Sequence, residues 1–530
     1  MRKSTRSLVA IAFALLFFTG GAQFTDAAAE ELVIGMQAEP SIDPHFLYLA
    51  TNIGYSKHMF GRLVERDENA RRIPNLAESW RPIDDTTWEF TLRKGVKFHD
   101  GSEFTAEDVI FSFERIPSLP NNPGAYTSAI RGVVSVEAKD PHTLIITTEE
   151  PNPVLPAQLH NAAIVSKKAA EGATPGDFES GKAAVGTGPY KFAEYVPGDR
   201  LVVERFEDYW GEKPAYERVV FKIIPNDAVR IAALLGGDID LVSDVPPSEV
   251  AHLERRGVSI FKRPSDRVIF LGCDNIRDES PFVTDAEGNP LSPNPLKDVR
   301  VRQAISKAIN RRALVQGVME GLAAPASQLI PQGWFSHNPE LELENYDPVG
   351  AKRLLSEAGY PEGFVLTIHG PNNRYINDAK VCQAVAQMLS RAGIQMRVDT
   401  MPKSAYFSRL SPPEPEFSFY LLGWGSSNVG ESTLGLLTVV HSYDKDKGAG
   451  TYNGGISLPE LDRLAEKASV TVDEAEREGI LKTAMATAIQ AYNPIPLYTQ
   501  FALAAARKGV QYTVRADDQT LAMNARPANP

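Results

Sequence analysis

Cysteine is nearly missing from this chain: two in 530 residues, which excludes a disulfide-rich scaffold. Positive charge is also short. Lys and Arg total 55 against 67 Asp and Glu, leaving a net charge of −12. A general nucleic-acid binder carries a basic field, so that class is excluded, and broad attraction to anionic lipid is disfavoured. Long apolar runs are lacking as well. The run at 8–18 has eleven residues, and a helix needs roughly 20 to span a bilayer. Catalytic signatures fail in turn. There is no His-Glu-x-x-His, no Cys-x-x-Cys and no phosphate-binding loop. Gly186-Thr-Gly188-Pro-Tyr lacks the third glycine of a dinucleotide fingerprint. The 423–430 stretch does not satisfy the Gly-x-Ser-x-Gly nucleophile elbow. The nine His are scattered and none pairs at i, i+4, so no metal site is expected. Neither a cofactor nor an enzymatic activity is expected.

What remains is an ordinary globular composition, 43% hydrophobic and 23% charged, in a chain long enough for two or more domains with full cores. Its first residues form an address. Arg2, Lys3 and Arg6 precede the apolar run at 8–18, and Ala27-Ala28-Ala29 offers a small-residue cleavage site. Residues 1–29 read as a secretory signal peptide. No Cys follows the apolar run, which closes the lipoprotein route. The product is expected to be soluble and periplasmic. In that oxidising space Cys273 and Cys382 have two options: they pair, or they remain two buried thiols.

Strand and helix signals alternate along the chain. Residues 31–36 read as a first strand. Trp88, Phe90 and Leu92 alternate with polar neighbours, the period of a strand. Thr105-Ala-Glu-Asp108 resembles a capping box that opens a helix. Residues 199–206 and 219–224 read as paired strands, and the region 66–185 as a β-rich subdomain. In the second half, Asp347-Pro348 gives an N-cap and a first-turn Pro, with Ala351, Leu354, Leu355 and Ala358 on one face. Strand 364–368, helix 378–391 and strand 394–398 form a right-handed crossover. Ser457-Leu-Pro-Glu460 reads as a second capping box. The fold class is α/β.

In open α/β sheets, ligands sit beyond the carboxyl ends of strands. Two loops meet that condition. One, 369–377, carries Arg374. The other, 423–432, begins Gly423-Trp424-Gly425-Ser426-Ser427-Asn428. Small residues let backbone approach a ligand there, and Trp424 offers an apolar wall.

Seven segments then occur in one order: Pro74-Asn-Leu-Ala-Glu-Ser-Trp80; Trp88-Glu-Phe-Thr-Leu-Arg-Lys-Gly-Val-Lys-Phe-His-Asp-Gly101; Phe104-Thr-Ala-Glu-Asp-Val109; Val185-Gly-Thr-Gly-Pro-Tyr190; Gly237-Asp-Ile-Asp240; Asp298-Val-Arg-Val-Arg-Gln-Ala-Ile305; and Gly423-Trp424. In these the chain resembles the extracellular solute-binding proteins of the peptide/nickel class (family 5, dipeptide/oligopeptide type), which serve ABC importers. The resemblance implies a two-lobe periplasmic binding protein, a type II Venus-flytrap clamp, with an added β-rich subdomain on the first lobe. Lobe 1 would span 30–270, with the subdomain at about 66–185. Lobe 2 would span 271–497, and 498–530 would return to lobe 1. The implied function is capture of a short peptide or peptide-like solute between the lobes and delivery to inner-membrane permease subunits, by a monomer. The alternative is a non-peptide solute: an opine, an oligosaccharide or a metal chelate.

The resemblance also implies where the ligand sits. In peptide-binding relatives an Asp after Gly-Trp takes the peptide's amino group. Ser426, Ser427 and Asn428 stand in its place here, which suits a neutral or anionic group better. Relatives place a cation near the start of the helix after the 364–368 strand, and Arg374 lies there. Thr51, in Ala50-Thr51-Asn52, is the first-lobe contact. The expected ligand-binding set is therefore Thr51, Arg374, Gly423, Trp424, Gly425, Ser426, Ser427 and Asn428.

Overall fold

A computed structural model describes residues 31–122, 126–411, 413, 415–426 and 430–528. Residues 1–29, which the sequence reads as a signal peptide, Ser427 and Asn428 lie outside the described residues. The backbone of the fold is a twelve-stranded mixed sheet. Its path runs Val283–Thr284, Val365–Pro371, Phe419–Gly425, Ser259–Cys273, Ile495–Ala506, Leu241–Ser243, Glu31–Met36, Arg218–Ile223, Arg200–Arg205 and Tyr190–Val196. Gln395–Met401 and Ala323–Pro325 attach to the side of this path.

Two long antiparallel strands, Ser259–Cys273 and Ile495–Ala506, join the two lobes. Their register runs from Ser259↔Ala506 to Leu271↔Ile495, with breaks between Pro264 and Val268 and between Ile269 and Phe270. On one side of the first break, Leu241–Ser243 continues the sheet alongside Ala504 to Ala506. On the other side, Phe419–Gly425 pairs with residues 267–273. The irregularity holds Ser265, Asp266 and Arg267. A bulge bends its strand and re-aims side chains, and here it stands where the sheet passes from lobe to lobe.

Each lobe has its own core. One packs Leu32, Ile34, Tyr55, Phe60, Leu201 and Phe221. Another packs Ile269, Leu271, Leu366, Ile368, Val385 and Leu421. A third lies under a separate four-stranded antiparallel sheet, ordered Ala77–Pro82, Thr87–Leu92, Thr143–Thr148, Val133–Asp140. There Trp88, Phe90 and Leu92 all point inward, as their alternation predicts. Each such side chain contributes about 1.5–3 kcal/mol on burial.

The local signals act as read in most places. Thr105 N–H donates to Asp108 at 3.0 Å, completing the capping box of the Ala106–Ser118 helix. Asp347 accepts from Gly350 N–H at 2.8 Å, with Pro348 in the first turn. Val365–Pro371 and Gln395–Met401 pair in parallel around the Asp378–Arg391 helix. One reading is corrected. The Pro459–Val470 helix is capped by Leu458 without a side-chain bond. The Ser457 hydroxyl instead accepts from Ser442 at 3.2 Å. Pro459 occupies the first turn, so the helix begins one residue later than a Ser457 cap requires. Cys273 and Cys382 are free and buried, and burial pushes both thiols up to about 12.

Candidate functional site

The loop after Val365–Pro371 is held by the helix it enters. Asp378 accepts the backbone N–H of Arg374 at 2.9 Å and of Tyr375 at 3.0 Å. This fixes the Arg374 backbone and leaves its side chain to project. Tyr375 ties this loop to the second one: its hydroxyl accepts from Gly423 N–H at 3.0 Å and donates to Gly423 O at 3.3 Å. The two loops singled out by strand order are therefore one unit.

Arg374 reaches a cavity of about 350 Å³ between the lobes. Lobe 1 contributes Gln37, Thr51, Asp244 and Asp518, and the bulge contributes Arg267. A neighbouring cavity of about 290 Å³ shares Asp244, Arg267, Arg374 and Asp518. Two others, of about 380 and 390 Å³, lie around Trp334 and contain none of the expected ligand residues. Size does not choose between these cavities, so charge must.

Around the first cavity, other charged groups are already engaged. Arg230 donates to Asp227 at 2.7 Å and to Ile224 O at 2.8 Å. Arg515 holds Asp517 through two bonds, of 2.9 and 2.7 Å. Burial works to raise the Asp517 carboxyl, but the Arg515 charge and hydrogen bonds hold it low.

The inward-facing groups differ. Surrounding protein pushes the Asp518 carboxyl well above the usual range, and the charges of Asp266, Asp244 and Asp517 push the same way against Arg267. Asp244, exposed at the cavity wall, is raised too, first by desolvation from the surrounding protein, with Asp227 adding to it against Arg230 and Arg267. It accepts from Gln37 Nε2 at 3.3 Å. On the opposite wall, burial and then the Arg267 charge lower Arg374. Asp244 and Asp518 both adopt left-handed backbone, at φ 54° and 57°. Asp tolerates that region better than most residues, and such geometry clusters at ligand sites.

The other expected residues sit behind this wall. A Cβ on Gly423 would stand 2.5 Å from Ile269 Cδ1 and 2.8 Å from Tyr375 Cε1. A Cβ on Gly425 would stand 2.6 Å from Asp266 Oδ2. These glycines let the strand end approach Tyr375 and Asp266. The Trp424 ring packs with the lobe 2 core, 6.3 Å from the Tyr452 ring, with Nε1 buried beside Gly435. Ser426 is buried, and its carbonyl accepts from Gly430 N–H at 2.8 Å. The structure thus brings Thr51 and Arg374 to one cavity and sets Gly423 to Ser426 against its support.

Sequence reasoning missed Arg267, Asp244, Asp518 and Gln37. One signal was available for Arg267: Ser265-Asp-Arg interrupts an apolar strand. Nothing local marks Asp518, which lies 251 positions after Arg267 in the chain.

Two α/β lobes joined by paired strands, with unpaired charges facing a cavity between them, define a clamp-type binding protein. The comparisons agree. The profile of the bacterial extracellular solute-binding proteins, family 5, middle region, matches residues 71–446, and the chain belongs to that family. It is 28% identical to the dipeptide-binding protein of Escherichia coli K12 over 400 residues, covering 70% of this chain and 71% of that one. It is 27% identical to the glutathione-binding protein GsiB of Escherichia coli O1:K1 over 493 residues, 91% of each. Among solved structures, HbpA2 from Haemophilus parasuis shares the fold with a TM-score of 0.78 at 24% identity, over 94% of this chain and all of that one. The protein is thus a solute-binding protein. Among the described residues, no helix is long and apolar enough to cross a membrane.

Proposed function

We propose that the protein captures a short peptide or peptide-like zwitterion in the cavity between Thr51 and Arg374 and delivers it to the permease of an ABC importer. The observation that carries this reading is the division of charge in that cavity. Arg374 lines it from lobe 2, Asp244 and Asp518 from lobe 1, and Arg267 stands at the crossing between them. A free carboxylate suits the arginines, since charge-assisted guanidinium bonds are strong and bidentate. A free ammonium suits the raised carboxyls, because a cation beside them favours their ionised form. The first lobe thereby supplies the acid that the 426–428 stretch lacks. The relatives named for dipeptide and glutathione binding support a solute of this kind.

In this reading lobe 1 comprises 30–270 and 498–530, lobe 2 comprises 271–497, and the chain acts in the periplasm as a monomer after loss of residues 1–29. The solute leaves chemically unchanged. Closure is driven only by the difference in affinity between the closed and open forms. A micromolar dissociation constant, about −8 kcal/mol, suffices for capture and still permits release. The test is a thermal-shift screen of residues 30–530 with di- and tripeptides, opine-type conjugates, oligosaccharides and nickel chelates. Solute at about 100 times its dissociation constant stabilises the fold by about 2.7 kcal/mol. A shift with peptides is expected. A shift with oligosaccharides alone would contradict the proposal.

A further inference from the structure

Two chambers meet at one set of charges. Asp244, Arg267, Arg374 and Asp518 line both the cavity of about 350 Å³ and its neighbour of about 290 Å³. Away from these shared groups the linings differ. The first chamber is chiefly polar, with Gln37, Thr51, Ser243, Gln519 and Thr520. The second is chiefly apolar. Val245, Pro246 and Pro247 come from lobe 1, Ile376 from lobe 2, and Phe501 and Leu503 from the strand Ile495–Ala506.

The apolar wall grows out of the charged one. Val245, Pro246 and Pro247 follow Asp244 directly, and Tyr375 and Ile376 follow Arg374. Pro246 caps the helix Pro247–Arg255 and Pro247 opens it. Neither has a backbone N–H, so this wall carries two donors fewer than an ordinary helix start. Phe501 and Leu503 pack with Ile231 and Leu322, which fixes the far side. Pro246, Pro247, Ile376 and Phe501 are half-buried and leave carbon surface open to the chamber. A chiefly apolar lining with a few polar groups is the usual make-up of a ligand pocket.

Each chamber also holds an amide in need of a partner. Gln500 lines the second chamber at 5% exposure, and its side chain makes no hydrogen bond among the described residues. A peptide group offers both the donor and the acceptor it lacks. In the first chamber Gln519 Oε1 is buried and unpaired. A buried acceptor left unpaired is costly, and an ammonium N–H would satisfy it. The ammonium end then belongs in the first chamber and the carboxylate beside Arg374. The side chain on the carbon next to that carboxylate enters the second chamber.

We propose that the second chamber is a subsite for an apolar side chain at the carboxyl end of the solute, so that the preferred substrates are short peptides ending in a residue such as leucine. This rests on the reading of the preceding subsection and narrows it.

The test is isothermal titration of residues 30–530 with alanyl-leucine and with leucyl-alanine. The two have the same atoms and the same charged ends, and differ only in which end bears the apolar side chain. Alanyl-leucine is expected to bind about tenfold more tightly. Phe501→Ala and Ile376→Ser each cut back the apolar wall, and each should reduce that ratio by about threefold or more. Ile376 lies in a loop, so Ile376→Ser serves if Phe501→Ala does not fold. Equal binding of the two isomers, tighter binding of leucyl-alanine, or a ratio unchanged in the variants overturns the proposal and leaves the peptide reading standing. If neither dipeptide binds, the peptide reading fails, and hexanoate and acetate become the probes. A rise in Tm of about 2 °C or more with hexanoate alone, lost in Ile376→Ser, would support the chamber by itself. The same response to both anions, or to neither, would overturn it.

Discussion

The lobes meet in two kinds of place, and their charges are handled in opposite ways. Along the seam beside the subdomain, charges are matched. Arg477 pairs with Glu431 at 3.1 Å and donates across the lobes to Pro153 O at 3.2 Å. Arg72 pairs with Glu474 at 3.1 Å, and Leu434 packs on Val154 and Ala157. In the cavity, Arg374 stands beside the like charge of Arg267, and Asp518 beside those of Asp266, Asp244 and Asp517, and among the described residues neither Arg374 nor Asp518 is held in an ion pair. A seam that pairs its charges holds the lobes in register. A cavity that leaves them unpaired reserves them for something that comes and goes. Binding energy and folding energy are thereby drawn from different residues.

The comparison can be broken from either side. The largest effect is expected at the seam. Arg477→Met leaves Glu431 buried without its cation, and removing one partner of a buried pair costs about 3–5 kcal/mol. Urea unfolding should register that loss, while dipeptide affinity in the protein that remains folded stays near its original value. Arg374→Ala should do the reverse. Loss of a charge-assisted bond weakens binding of a carboxylate solute by about 1.5–3 kcal/mol, with little change in Tm. Between these lies Gly423→Ala. Its methyl meets Ile269 and Tyr375, and overpacking of this kind costs about 1–3 kcal/mol. Because Tyr375 neighbours Arg374, stability and affinity should both fall, which titration and thermal unfolding would show together.

The smallest effect tests the raised carboxyls. A carboxyl whose folded pKa lies above its unfolded value binds more protons in the folded state, so stability falls as pH rises through that interval. The interval opens near the ordinary Asp value of about 4 and runs up to the raised value of Asp518. Asp518 is exposed, so water screens part of this effect: Asp518→Asn should raise Tm slightly at neutral pH, and the gain should vanish toward pH 4. Affinity for an ammonium-bearing solute should fall as the unmodified protein is acidified through the same interval. A gain that grows on acidification would contradict this assignment.

How much of this was legible beforehand follows from the range of the signals. Helix starts were readable at Thr105 and Asp347 because capping is a contact within four residues. Strand, helix and strand over 364–398 were readable because apolar period and turn chemistry are local. The 457–460 box failed because two side chains at the right spacing compete with other partners, and Ser442 claimed Ser457. Thr51 and Arg374 were selected through strand order and family likeness. Their partners Asp244, Arg267 and Asp518 come from three distant stretches that only the sheet assembles.

The most direct measurement is calorimetric titration of residues 30–530 with dipeptides and with the same dipeptides amidated at the carboxyl end, repeated on Arg374→Ala. The cavity account predicts that free dipeptides bind, that amidation weakens binding by about tenfold or more, and that the two forms become equivalent in Arg374→Ala. Equal binding of free and amidated forms to the unmodified chain would contradict it.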